Sequence, residues 1–181
     1  PGSGLSMEVD HEPPAVPGIR PAAAVAAAAP PARYFRFCHS ASYRTSQREL
    51  EEAIELGDPQ LLQEVVRRYP CQVDGLLLLG EYCGKVGQRE VGAELTERAL
   101  HCLEHALHPL CQLLDGSARL RWAVAANRPL FLGLFRHMIG CGRRGLHRTA
   151  LEVGRLLLSL DPDADPLRVL LHLDHYALQA A

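Results

Sequence analysis

The sequence predicts an all-α fold built as a solenoid of antiparallel helical hairpins, about seven helices in all, behind a disordered leader rich in Pro and Ala. Three observations carry that expectation. Matching positions recur 34 residues apart, in the pairs Val65/Ala99, Leu62/Thr96 and Asp58/Gly92. Leu76, Leu79, Gly80, Cys83, Gly92, Thr96 and Ala99 alternate large apolar and small residues as a pair of closely crossing helices needs. Elsewhere apolar residues return at helical spacing between Gly and Pro stops. A unit of about 34 residues with two helices and a turn is the tetratricopeptide form. Such a stack presents surface rather than a catalytic cleft.

Residues 1–31 hold few large apolar side chains and cannot bury enough surface to offset chain entropy. They are expected to be the leader, with a helical-repeat domain over 32–181. The Ala22–Ala29 tract, framed by Pro21 and Pro30, is weak as a secretion signal. Arg33–Phe37 alternates charged and aromatic residues, as a short strand-like arm or as the start of the fold.

Tyr43, Gln47, Leu50 and Ile54 share one face of a first helix, with Ser40 or Ser42 as cap and Gly57 as stop. Asp58-Pro59 opens a second with Leu61, Leu62, Val65 and Val66, ended by Pro70. Asp74 caps a third carrying Leu76, Leu79, Cys83 and Val86, closed by Gly87. The fourth, about 88–107, lines up Val91, Leu95, Ala99, Cys102, Leu103 and Ala106 ahead of Pro109. Residues 109–127 read as a long connection, a kind that is usually functional or mobile. A fifth helix follows near Pro129. The Gly140–Gly145 turn leads to a sixth (Leu146, Ala150, Val153, Leu157), and Asp165-Pro166 opens a seventh. An uncapped solenoid exposes an apolar end, so the natural chain is expected to continue.

The formal net charge of −2 gives no general attraction to nucleic acid or anionic lipid. No apolar run reaches the ~18–20 residues that span a bilayer, so no membrane partner is expected. Six cysteines without a C-x-x-C pair, mostly among apolar residues, point to a reducing compartment.

Chemical motifs are weak. Gly140-Cys141-Gly142-Arg143-Arg144-Gly145 matches G-x-G-x-x-G, but the preceding segment reads as a helix, not the strand a dinucleotide site needs. Cys102, His105, His108 and Cys111 are four zinc-type ligands. Spacing of three on a helix turns each by about 60° from the last, so an unbroken helix cannot converge them unless Pro109 bends it. Asp161, Asp163 and Asp165 lack the Gly and the final Glu of a calcium loop and read as helix caps. His172 and His175 lie one turn apart with no second pair. No nucleophile elbow is present. The expectation is therefore no enzyme, no cofactor and no metal.

Several stretches carry a family resemblance in order: Tyr34-Phe35-Arg36-Phe37-Cys38-His39-Ser40; Tyr69-Pro70-Cys71-Gln72-Val73-Asp74-Gly75-Leu76-Leu77; Glu97-Arg98-Ala99-Leu100 with Ala106-Leu107-His108-Pro109-Leu110; Arg148-Thr149-Ala150-Leu151-Glu152; and Leu158 to Leu167. Over about residues 33–181 the chain resembles the transcription factor 25 family, also called ribosome quality control complex subunit 1. One departure is Arg119-Leu120-Arg121-Trp122-Ala123-Val124-Ala125-Ala126-Asn127-Arg128, where the family has an acidic residue and an Arg pair. The resemblance implies a non-catalytic scaffold subunit, cytoplasmic and ribosome-associated. Its partners would be a Listerin-type ubiquitin ligase and the large ribosomal subunit, and it would support ubiquitination and extraction of stalled nascent chains. The family name implies a different, nuclear role as transcriptional co-regulator. A generic tetratricopeptide-like peptide adaptor is a further alternative. No zinc finger, basic zipper or helix-turn-helix charge pattern supports direct DNA reading. The expected partner-binding residues are Arg119, Arg121, Trp122, Asn127 and Arg128, because the long loop is basic and holds the chain's single Trp.

Overall fold

Side-chain caps fix where the first three helices begin. The computed structural model describes residues 3–11, 32–113 and 116–180. Helix α1 (Ala41–Leu56) starts at Ser40, whose hydroxyl accepts from the Tyr43 N–H at 3.2 Å, and stops at Gly57 in the left-handed region (φ 66°). Asp58 caps α2 (Pro59–Arg68), with proline in the first turn. Gln72, not Asp74, caps α3 (Val73–Lys85): its side-chain oxygen accepts from the Asp74 N–H, and Asp74 lies inside the first turn. Helices α4 (Arg89–His105), α5 (Arg128–Arg143), α6 (His147–Leu160) and α7 (Leu170–Gln179) follow. The expected mainly helical fold with seven helices holds among the described residues.

Three local expectations are corrected. The Gly140–Gly145 segment is mostly helix: α5 runs to Arg143 and only Gly145, at φ 78°, makes the turn. Helix α7 starts five residues after Asp165, because Asp165 and Arg168 take left-handed conformations (φ 35° and 51°). Asp165 still caps it, its carboxylate accepting from the Val169 and Leu170 N–H groups at 2.7 and 3.3 Å. Val91, expected on the packed face of α4, is exposed; Ala99, Cys102 and Leu103 are buried as expected, and Gly92 and Thr96 join them.

Each helix packs on the next one along the chain, α3 on α4 and α5 on α6 most extensively. The α3–α4 crossing is glycine on glycine: a Cβ at Gly92 would lie 2.6 Å from the Gly80 carbonyl oxygen. Leu50, Val73, Leu76, Leu103, Phe131, Met138, Leu157 and Leu160 fill the interior between these layers.

A small sheet closes one side. Strand β2 (Arg33–His39) lies between β1 (Leu5–Val9), antiparallel to it with Leu5 opposite His39, and β3 (Ala118–Leu120), parallel with Phe35 opposite Leu120. Alternate residues Leu5, Met7, Phe35, Phe37, Ala118 and Leu120 are buried. The aromatic–charged alternation of Arg33–Phe37 is thus the central strand. Within the expected leader, Leu5–Val9 is ordered as a strand; residues 1–2 and 12–31 of that leader lie outside the described residues.

Candidate protein-docking surfaces

The segment after α4 is held by its own polar side chains. It contains β3 and a 3-10 turn at Ala125–Asn127 that leads into α5. Asn127 is fully buried. Its Oδ1 accepts from the Phe37 N–H at 3.0 Å, and its Nδ2 donates to the Arg121 carbonyl at 3.1 Å and the Phe35 carbonyl at 3.5 Å. One amide therefore pins strand β2 to the start of α5, across 90 residues of sequence. Arg121 pairs with the buried carboxylate of Asp10 and lies over the Tyr34 ring at 5.7 Å, which ties β1 to the same place.

Trp122 meets Phe131 edge to face at 5.7 Å, and its backbone N–H donates to the Asp161 carboxylate at 3.0 Å. Asp161, the C-cap residue of α6, thus also anchors this segment to the end of that helix. The Arg119 guanidinium donates back to the Gly116 and Ala118 carbonyls. Arg128 is exposed, stacks over Trp122 at 5.5 Å and donates to its carbonyl. The five expected contact residues are therefore gathered in one region with different duties. Asn127 and Arg121 face inward and fix the backbone, while Arg128 and the outer edge of Trp122 reach solvent.

A second surface is a groove of about 390 Å³ between α3, α4 and α5. Sequence reading did not single it out. Its lining includes four glycines, Gly80, Gly84, Gly92 and Gly140. Arg136 bonds the Leu77 carbonyl and the Glu81 carboxylate, and Lys85 pairs with Glu81 at 2.8 Å. The hydrogen bond from Lys85, with Arg136 adding, holds the Glu81 carboxyl below its usual range. Glu97 stands 3.8 Å from Arg144 and 3.9 Å from His137. The signal in the sequence was the Arg143-Arg144 pair, which the glycine motif around it obscured.

The zinc-type set does not converge. Cys102 is buried beside Cys71, and burial, with the Cys71 contact adding, pushes its thiol up to about 11. A ligand thiolate needs the opposite shift. His105 contacts the His101 carbonyl, and His108 accepts from the Leu110 N–H beside the Phe35 ring. Among the described residues no group of three or more His, Cys, Asp or Glu is placed to hold a metal ion. His172 packs edge to face on Phe135, and His175 on His147.

Comparison with known proteins gives a consistent result. The family model described as "Transcriptional repressor TCF25" matches residues 35–181. The human protein named "Ribosome quality control complex subunit TCF25" is 40% identical over 147 residues, covering 81% of this chain and 22% of that protein. Its Dictyostelium discoideum counterpart of the same name is 34% identical over 147 residues, covering 81% of this chain and 20% of that protein. The Schizosaccharomyces pombe protein "Ribosome quality control complex subunit 1" is 34% identical over 146 residues, 81% and 22% of the two chains. This chain spans about a fifth of the length of these relatives.

Proposed function

We propose that this chain, which belongs to the Tcf25 family, is the helical part of a non-catalytic scaffold subunit in ribosome-associated quality control. The observation that carries the reading is the extent of the family match. It runs from Phe35 on the central strand through the last helix and so takes in the whole helical stack. The relatives' names describe a complex subunit, not a catalyst.

In this reading the stack is a tetratricopeptide-like solenoid and its work is geometric. Packed helices with a pinned sheet hold partners at fixed distance and angle, which raises the effective concentration of one near the other. The partners are a Listerin-type ubiquitin ligase and the large ribosomal subunit, and the outcome is ubiquitination and extraction of a stalled nascent chain. The site of action is cytoplasmic and ribosome-associated. Contacts are made by Arg128, Arg119 and the outer edge of Trp122, with Arg121 and Asn127 holding the segment in place.

The test changes only the solvent side of that segment. Arg128→Glu with Ala123→Glu, two exposed positions, is introduced into the full-length protein. Recovery of the ligase and large subunits in pull-downs should fall about tenfold while thermal stability stays at the wild-type value. Undiminished recovery would sink the assignment of the contact to this segment. A second reading, a nuclear transcriptional co-regulator, is favoured by the family model's description as a repressor. It calls for nuclear recovery with transcription factors and without ribosomes.

A further inference from the structure

The groove between α3, α4 and α5 has a feature that the scaffold reading does not use. Five basic side chains line it, Lys85, Arg89, Arg136, Arg143 and Arg144, against two carboxylates, Glu81 and Glu97. Both carboxylates are engaged by groove cations. Among the described residues Arg89 and Arg143 have no carboxylate within ion-pairing distance, and both are exposed. This excess stands out on a chain whose formal net charge is −2.

Two glycines face the open space. A Cβ at Gly84 on α3 or at Gly140 on α5 would meet nothing within 4 Å, although both residues line the groove. The helices there forgo side chains that would fit without strain and that helix propensity favours. The absence of side chains keeps the groove open. Glu81 and Lys85 also line a second, neighbouring cleft of about 220 Å³. That cleft is apolar, with Ala53, Ile54, Leu62, Leu78 and Tyr82 in its walls; Ile54 is 51% and Tyr82 37% exposed.

We infer that the two clefts form one docking channel for an extended acidic protein segment: an apolar side chain seats against Ile54 and Tyr82, and carboxylates that follow it lie along Arg89 and Arg143. Charge complementarity selects acidic over neutral segments. Glu81 and Glu97 in the walls and the apolar cleft beside them disfavour the continuous phosphates of a nucleic acid. The inference does not depend on which complex the chain joins, so it and the ribosomal assignment fail separately.

The test is fluorescence anisotropy with the 181-residue chain and a labelled peptide, Gly-Leu-Gly-Glu-Glu-Asp-Glu. Its comparators are the isosteric Gly-Leu-Gly-Gln-Gln-Asn-Gln peptide and a ten-nucleotide single-stranded RNA. The acidic peptide should bind at least tenfold more tightly than either and weaken as salt rises from about 50 to 300 mM, since exposed charges are screened over that range. Arg89→Glu with Arg143→Glu should weaken it at least tenfold, and Tyr82→Ala severalfold. Gly140→Met fills the channel without touching a charge; it should abolish binding while leaving the melting temperature equal or higher. Equal binding of the neutral peptide, tighter binding of RNA, or full affinity in Gly140→Met would each overturn the proposal.

Discussion

The α3–α4 crossing makes a sharp prediction about two glycines that look alike in the sequence. In Gly92→Ala the new methyl would sit 2.6 Å from the Gly80 carbonyl oxygen and 3.4 Å from the Gly84 nitrogen. Ordinary contact begins near 3.4 Å, so α4 must move away from α3 by roughly 0.8 Å. A gap of that size forfeits between a quarter and a half of each dispersion contact it opens. The side chains affected are buried ones, including Leu76, Leu79, Cys83, Ala99 and Leu103. Overpacking of this kind costs about 1–3 kcal/mol, and alanine's better helix propensity offsets about 1 kcal/mol of it. The net loss is up to about 2 kcal/mol.

Gly84→Ala is the control. It lies on α3, one turn beyond Gly80, and its methyl would meet nothing within 4 Å. Only the propensity acts there, so it should gain up to about 1 kcal/mol. Urea and thermal unfolding followed by far-ultraviolet circular dichroism separate the two. At about 2–4 °C per kcal/mol for a chain of this size, Gly92→Ala should melt lower by up to about 8 °C and Gly84→Ala a few degrees higher. Shifts of the same sign, or a stabilised Gly92→Ala, would refute the close-crossing argument.

Three other outcomes follow from the polar contacts. Asn127→Leu strands the buried Phe37 N–H and should cost about 2–4 kcal/mol in urea unfolding, with faster amide exchange at Phe37; an unchanged Phe37 exchange rate would contradict the pinning role. Arg121→Met leaves the Asp10 carboxylate without its guanidinium, so exchange in Leu5–Val9 should accelerate while α3 and α4 stay protected; uniform loss of protection would argue against a local clasp. Burial, with Glu51 adding, raises Asp74 from 3.8 to about 6, so the folded chain binds that proton more tightly than the unfolded one. Wild-type stability should therefore fall as pH rises from about 4 to 6, whereas Asp74→Asn lacks that component and gains on wild type at neutral pH; parallel profiles would count against it.

The helices were legible because their signals are local. Ser40, Gly57, Asp58-Pro59 and Gly87 act within a turn of where they stand, and the small residues Gly80 and Gly92 mark a crossing by type alone. Errors arose where one residue has two uses. Asp74 and Gln72 both suit a cap, and only packing decides between them. Asp161 does end α6 as read, but its carboxylate also bonds the Trp122 backbone N–H, 39 residues away. Strand β1 was missed although Leu5, Met7 and Val9 alternate with Ser6 and Glu8, because the surrounding Pro and Ala composition outweighed five residues of period two. Strand β3, three residues long, carries no periodicity to read.

The expected contact residues lie together in one segment, but the inward duties of Asn127 and Arg121 depend on residues about 90 to 110 positions away. The groove was invisible for the same reason. Arg89 stands on α4 and Arg136 and Arg143 on α5, two elements that only the helix stack brings together. Gly84 and Gly140 matter there for what they leave empty, and a sequence does not show that.

Sucrose-gradient sedimentation of the full-length protein from cells with stalled translation tests the scaffold reading most directly. Each fraction is probed for the protein, the ligase and large-subunit markers. Co-migration with large subunits and ligase, reduced about tenfold by Arg128→Glu with Ala123→Glu, is the result the account predicts. Absence of the wild-type protein from those fractions, with recovery in nuclear extract, would contradict it and favour the transcriptional role.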